Sequence, residues 1–162
     1  MQPKIGYLSL VKVRFNECDP MGHLNNANYL TYLEQVAFDA IGAADYDRFA
    51  LVEKFGALFV VRKHEVTYHQ PALENEWLLI RSWGNEIRAA RAWREYSVTK
   101  FHGDPTTFVQ GPVPIGDIPE VDRRDIIVSA ITEFAFMNPE TGRPARVPQE
   151  FIETFFEINP TQ

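Results

Sequence analysis

Hydrophobic and polar positions along the chain change their period several times. Over about residues 6–15, Tyr7, Val11 and Val13 stand among polar partners, and the Val and Phe content predicts a strand. Residues 26–41 then place Leu30, Leu33, Ala37 and Ala40 at three- and four-residue spacings, the signature of a helix. Tyr29, Val36 and Phe38 widen that apolar face, so the helix is expected to be buried on most sides. Asn25 or Asn26 suits its N-cap, and Gly42 follows as a stop signal. Residues 43–56 read as irregular or weakly helical. After them the texture becomes that of strands, in 57–70, 76–83, 90–101 and 126–137, each rich in β-branched and aromatic residues. "GNEIRA" suits a hairpin between the second and third of these runs, and "NPETGRP", 138–144, closes the last in turn residues. A short helix is expected at "PQEFIETFF", with Pro148 in its first turn and Phe151 and Phe155 on one face.

The order is strand, one long buried helix, four strands and a short tail. It predicts an α+β fold in which a single central helix is wrapped by a five-stranded antiparallel sheet. One helix does not cover both faces of a wide sheet, so a second subunit is expected on the other face or an edge. Residues 102–125, with four prolines and three glycines, interrupt the strand spacing and read as a mobile surface insertion rather than a lid or interface element.

Composition narrows the class. A chain of 162 residues is expected to form one domain with a real core. A net charge of −6 speaks against nucleic acid as the main partner, because phosphates are neutralised by clustered Lys and Arg. No apolar run approaches the roughly 18 residues of a membrane helix, and the N-terminus lacks a signal peptide's apolar core. The single cysteine, Cys18, favours a reducing, cytoplasmic setting.

Candidate chemistry gathers in "NECDPMGHLNNANYLTYLEQ", residues 16–35, where Asp19, Gly22, His23, Asn25 and Asn26 precede the long helix. Asp19, before Pro20, is either a turn former or a reactive carboxylate. Gly22 either allows close approach of a substrate to backbone or supplies a turn position with positive φ. His23 either assists Asp19 or is structural. Asn25 and Asn26 are caps by residue type, with Asn26 a second site candidate. Tyr29 is expected in the core and beside the site. Cys18 reads as a small apolar residue rather than a thiol nucleophile. Glu34 is a minor alternative carboxylate. His64 and His69 lack cysteines at zinc-ligand spacing, so no metal is expected.

The run "CDPMGHLNNANYLTYLE", with "HEVTYHQPALENEWLLIRSW" after it, resembles the hotdog-fold acyl-CoA thioesterases of the 4-hydroxybenzoyl-CoA thioesterase type. The most specific piece is D-x-x-G-H-x-N-N-x-x-Y from Asp19 to Tyr29. The resemblance implies a hotdog fold assembled as a homodimer or homotetramer, and thioester hydrolysis without metal or organic cofactor, coenzyme A being part of the substrate. It also implies a catalytic Asp19, acting as nucleophile or as general base, with His23 and Asn26 assisting. The chemistry suits the motif. Unpaired amides at a helix start can hold the oxyanion of a thioester carbonyl, and a carboxylate upstream can attack it or activate water. Arg88 and Arg91, at the predicted hairpin, are candidates for the CoA phosphates. An acyl carrier protein ester remains an alternative substrate. A non-catalytic acyl-thioester-binding module and a hydratase are the rival functions.

Overall fold

The computed structural model describes residues 1–157. Strand β1 (Gln2–Pro3) leads into β2 (Ile5–Lys12), and a 3-10 turn at Phe15–Glu17 precedes helix α1 (Asn26–Gly42). Helix α2 (Arg48–Phe55) comes next, then strands β3 (Leu58–Tyr68), β4 (Trp77–Arg88), β5 (Arg91–Lys100), β6 (Gly111–Pro114) and β7 (Ile126–Met137). Helix α3 (Gln149–Phe155) and strand β8 (Phe156–Glu157) end the described chain. The main sheet has six strands in the order β3-β7-β5-β4-β2-β6, every neighbour antiparallel, while β1 and β8 form a separate ribbon. No helix among the described residues is long and apolar enough to cross a membrane.

Two expectations change. The sheet has six strands rather than five, and three helices stand where one long helix and a short tail helix were expected. The sixth strand comes from the Pro/Gly-rich segment, whose Gly111–Pro114 pairs with Ile5–Leu8 along the outer edge. Two prolines in four residues are tolerated there because an edge strand has only one side to satisfy. The segment is therefore tied down. Gln110 accepts a bond from the Ser9 hydroxyl at 3.0 Å, and Ile118 lies where a Cβ on Gly6 would sit, 2.2 Å from its Cδ1. The additional helix, α2, starts at Asp47, whose carboxylate accepts from the amides of Phe49 and Ala50, and stops at Gly56 in the left-handed region.

Alternation sets the two faces of the sheet. Along β7, Val128, Ala130, Thr132, Phe134 and Phe136 are buried on the face that α1 covers. Tyr29, Leu33, Val36, Ala37 and Ala40 supply the helical side of this core. On the opposite face Leu8, Leu79, Arg81 and Thr99 are also buried, with Arg81 donating to the Thr99 hydroxyl at 2.9 Å. An aromatic cluster of Phe59, Phe136, Phe151, Phe155 and Tyr46 fastens α3 to the end of the sheet, with ring centroids 4.8 to 6.2 Å apart.

Candidate active site

The connection from β2 to α1 is built by its own hydrogen bonds. Asp19 Oδ1 accepts from the amides of Met21, at 2.9 Å, and His23, at 3.1 Å. The Asp19 carbonyl accepts from the Gly22 amide at 2.9 Å, and the Asp19 amide donates to the His23 carbonyl at 2.8 Å. This clasp fixes one carboxylate oxygen and leaves Oδ2 without a protein donor among the described residues. Gly22 sits at φ 77°, and nothing lies within 4 Å of a Cβ built on it. That backbone conformation favours glycine, and Gly22 does not line the pocket described below.

The helix start is anchored separately. Asn25 is the N-cap, its Oδ1 accepting from the Ala27 amide at 3.0 Å. Asn26 is therefore the first helical residue, where an amide has no intrahelical acceptor. Glu17 knits the approach to the helix. Its carboxylate accepts from the Arg14 amide and the Tyr32 hydroxyl, and its carbonyl accepts from the Asn28 side chain. Leu24 donates to the Ala72 carbonyl and His23 bridges to Leu73, so the whole loop is laid along the segment after β3.

These contacts bring Asp19, His23, Asn26 and Tyr29 to one pocket with Tyr68, His69, Gln70 and Pro71. The Tyr68 hydroxyl donates to the Asn26 carbonyl at 2.8 Å, and the Tyr68 ring meets Tyr29 edge-on at 5.6 Å. Tyr29 forms the pocket floor while 98% withdrawn from solvent, being 2% exposed. Burial pushes its phenol up to about 12, with a hydrogen bond from the Ala72 backbone opposing. It stays a neutral hydroxyl. His69 reaches the Ser129 hydroxyl at 2.9 Å. Burial and the nearby carboxylates of Glu74, Asp19 and Glu17 push the Cys18 thiol up, which keeps it from being a thiolate.

The structure separates other candidates from this pocket. Arg88 and Arg91 face each other at the β4–β5 turn, and Arg91 aligns with Ala135 on β7, whereas Tyr68 aligns with Val128. Seven residues of strand between those positions span about 23 Å. Arg88 is paired with Glu86 and Arg91 with Glu133, and within one chain both stand away from this pocket. Glu34 lies two turns along α1 and faces His64 Nε2 at 3.3 Å, and His64 Nδ1 meets the Thr132 hydroxyl at 2.9 Å. Tyr68 and Gln70 were not singled out from the sequence, and His69 was weighed there only as a metal ligand. Their one signal is a run of aromatic and polar residues at a strand end before Pro71, and a linear pattern does not reveal that this end meets the Asp19 loop.

The profile of the thioesterase-like superfamily matches residues 13–155, and the chain belongs to that family. The long-chain acyl-CoA thioesterase FadM of Escherichia coli K12 is 35% identical over 72 residues, 44% of this chain and 53% of that protein. The chain thus aligns with about half the length of this curated relative. A mutant 4-hydroxybenzoyl CoA thioesterase with 4-hydroxybenzoyl CoA bound shares the fold at a TM-score of 0.71 and 20% identity, over 91% of this chain and 96% of that one. The DHNA-CoA thioesterase of Staphylococcus aureus matches at 0.69 and 19% identity, over 92% and 85%. The expected hotdog arrangement, a long helix laid on an antiparallel sheet, is the fold these structures share.

Proposed function

We propose that the protein hydrolyses an acyl-CoA thioester to a carboxylic acid and CoA at the pocket where Asp19 meets the start of α1. The observation that carries this reading is the clasped carboxylate. One oxygen of Asp19 is fixed by two backbone amides and the other is free, in the same pocket as Asn26 at the helix N-terminus. The activities of the relatives named above, thioesterases acting on acyl, aroyl and naphthoyl CoA esters, support the substrate class.

In this reading the thioester oxygen sits against the first amides of α1, whose partial positive charge favours a developing oxyanion. Asp19 then takes a proton from water as hydroxide adds to the carbonyl, or adds directly on the way to an anhydride that water opens at the Asp19 carbonyl. Collapse expels the CoA thiolate, which takes up a proton. His23 and Asn26 border the reacting carbonyl, and the Tyr29–Tyr68 pair forms an apolar wall. No metal or organic cofactor is called for. A single turnover in heavy-oxygen water separates the routes, because the direct attack delivers an Asp19 oxygen to the first product molecule.

The enzyme is proposed to work as a cytoplasmic homo-oligomer. Strand β3 is a sheet edge eleven residues long, and its outer row of backbone groups is available to a second copy. Release of free thiol from a panel of short, long, branched and aryl CoA esters, repeated with carrier-protein esters, tests the function. Binding of these esters without turnover would instead identify an acyl-thioester-binding module.

A further inference from the structure

A second pocket lies at the other end of α1. Its walls are Ala37, Phe38 and Ile41 of α1, Phe59 and Phe134 of the sheet, and Phe151, Phe155 and Phe156 of the C-terminal segment. Phe38 is twelve residues beyond Asn26, about 18 Å along the helix axis. Ala92 aligns with Phe134 on β7, six residues or about 20 Å from the Val128 level where Tyr68 borders the Asp19 pocket. The two pockets are therefore separate within one chain.

Among these apolar walls stands one charged group, Arg94. It lies on the helix-facing side of β5, aligned with Thr132 on one neighbour strand and Gly84 on the other. Its Nε donates to the Ser82 hydroxyl at 2.6 Å, and Ser82 is fully buried. No carboxylate pairs with Arg94 among the described residues, although Arg62 and Arg91 both pair with Glu133 on the opposite face. Burial lowers its pKa, with the Tyr96 phenol opposing, yet a guanidinium keeps its charge in a protein. A half-buried cation with no anion nearby is costly unless something supplies the anion.

The local sequence also keeps the pocket shaped. Gly84 lies opposite Arg94, and a Cβ there would come within 2.7 Å of the Phe156 ring, so glycine is what lets that ring close over the site. With its open mouth counted, the pocket comprises about 540 Å³, but its free core is only about 50 Å³. Such a slot suits a linear chain or a single flat ring.

We infer that this pocket binds an amphipathic monocarboxylate, its chain or ring held among Phe59, Phe134 and Phe155 and its carboxylate paired with the free Nη groups of Arg94. This is a binding site distinct from the Asp19 pocket, and the claim does not depend on turnover there. Free acid of this class is what thioester hydrolysis would release, so occupancy would let product report back on the enzyme.

Titration calorimetry with octanoate, octan-1-ol and octylamine on the intact protein tests the inference. Octanoate should bind, and the alcohol should bind about ten-fold or more weakly, the usual worth of a charge-assisted bond. The amine should not bind. Arg94→Gln should bring octanoate and octanol to equal affinity, while Arg94→Lys keeps the preference for octanoate. Ala92→Leu, which fills the slot and leaves Arg94 in place, should abolish binding of both. In NMR spectra octanoate should shift the backbone amides of Ala92 and Arg94 and leave the amides of residues 19–23 unmoved, and it should bind Asp19→Asn as it binds the parent. Undiminished octanoate binding by Arg94→Gln, no binding by the parent, or shifts confined to the Asp19 loop would each overturn the inference.

Discussion

Replacing Gly22 with alanine isolates the conformational demand of the Asp19 loop. The position has φ 77°, and an added Cβ meets no atom within 4 Å, so the substitution introduces strain without a clash. A non-glycine residue in the left-handed region costs about 1–2 kcal/mol. The lost freedom of the unfolded chain returns about 0.4–1 kcal/mol. The net expectation is a destabilisation of about 1 kcal/mol, or about 2–4 °C in Tm for a chain of this length. Gly42 provides the control. It ends α1 without a positive φ and also has open space around its Cβ position, so Gly42→Ala should be neutral or stabilising. Urea unfolding of both variants measures the contrast. Because the amides of Met21 and His23 hold Asp19 Oδ1 from either side of Gly22, the strain also falls on the segment that aims the carboxylate. The turnover number of Gly22→Ala should therefore fall with KM unchanged. Equal stability changes in the two variants would refute the claim that positive φ is why glycine stands at position 22.

Other substitutions probe the helix start, the aromatic cluster and the surface. Asn25→Ala should cost about 1 kcal/mol through loss of the Ala27 cap bond, and Asn25→Asp should restore it, as read by chemical denaturation. Phe151→Ala should cost about 3–5 kcal/mol, since its ring lies 4.8 to 5.1 Å from those of Phe155, Phe59 and Tyr46. The hydrogen bond from Lys54 holds the Glu150 carboxyl below the usual carboxylate range, despite a smaller opposing effect of burial. Its contribution to stability is present above the ordinary Glu pKa and is lost as pH falls through the depressed value. Glu150→Gln should accordingly flatten the acid limb of a Tm-against-pH curve by lowering the neutral region slightly and leaving the acid end nearly unchanged.

Elements with one dominant local signal were legible in the sequence, and those decided by distant partners were not. Helix α1 was expected over 26–41 and runs from Asn26 to Gly42, because an Asn cap, three- and four-residue apolar spacing and a terminal glycine all agree. Helix α2 carried the same kinds of punctuation at Asp47 and Gly56, but Leu51 is its sole buried residue, so its periodicity is faint. Strand β6 opposed its own composition, since Pro112 and Pro114 argue against a strand until β2 offers an edge. Strand β4 extends to Arg88, beyond the expected 83, through an irregularity between Gly84 and Glu86 that a period-two pattern does not carry. The Asp19 loop could be read as chemistry because its clasp is made within five residues. The strand end that completes the pocket, Tyr68 to Pro71, lies more than forty residues away, and its meeting with Asn26 is a tertiary fact. Arg88 and Arg91 were suggested by charge alone, and sheet register places them at the far end.

The central claim is that Asp19 at the start of α1 hydrolyses acyl-CoA. Free-thiol release by the parent and by Asp19→Asn, measured side by side, tests it most directly. Asparagine keeps an oxygen to accept the Met21 and His23 amides, so the fold should hold while the proton-accepting, nucleophilic carboxylate is gone. The account predicts stoichiometric thiol and carboxylic acid from the parent and a rate lower by about 10²–10⁴ in the variant, with an unchanged circular dichroism spectrum. Parent-like turnover by Asp19→Asn would contradict it.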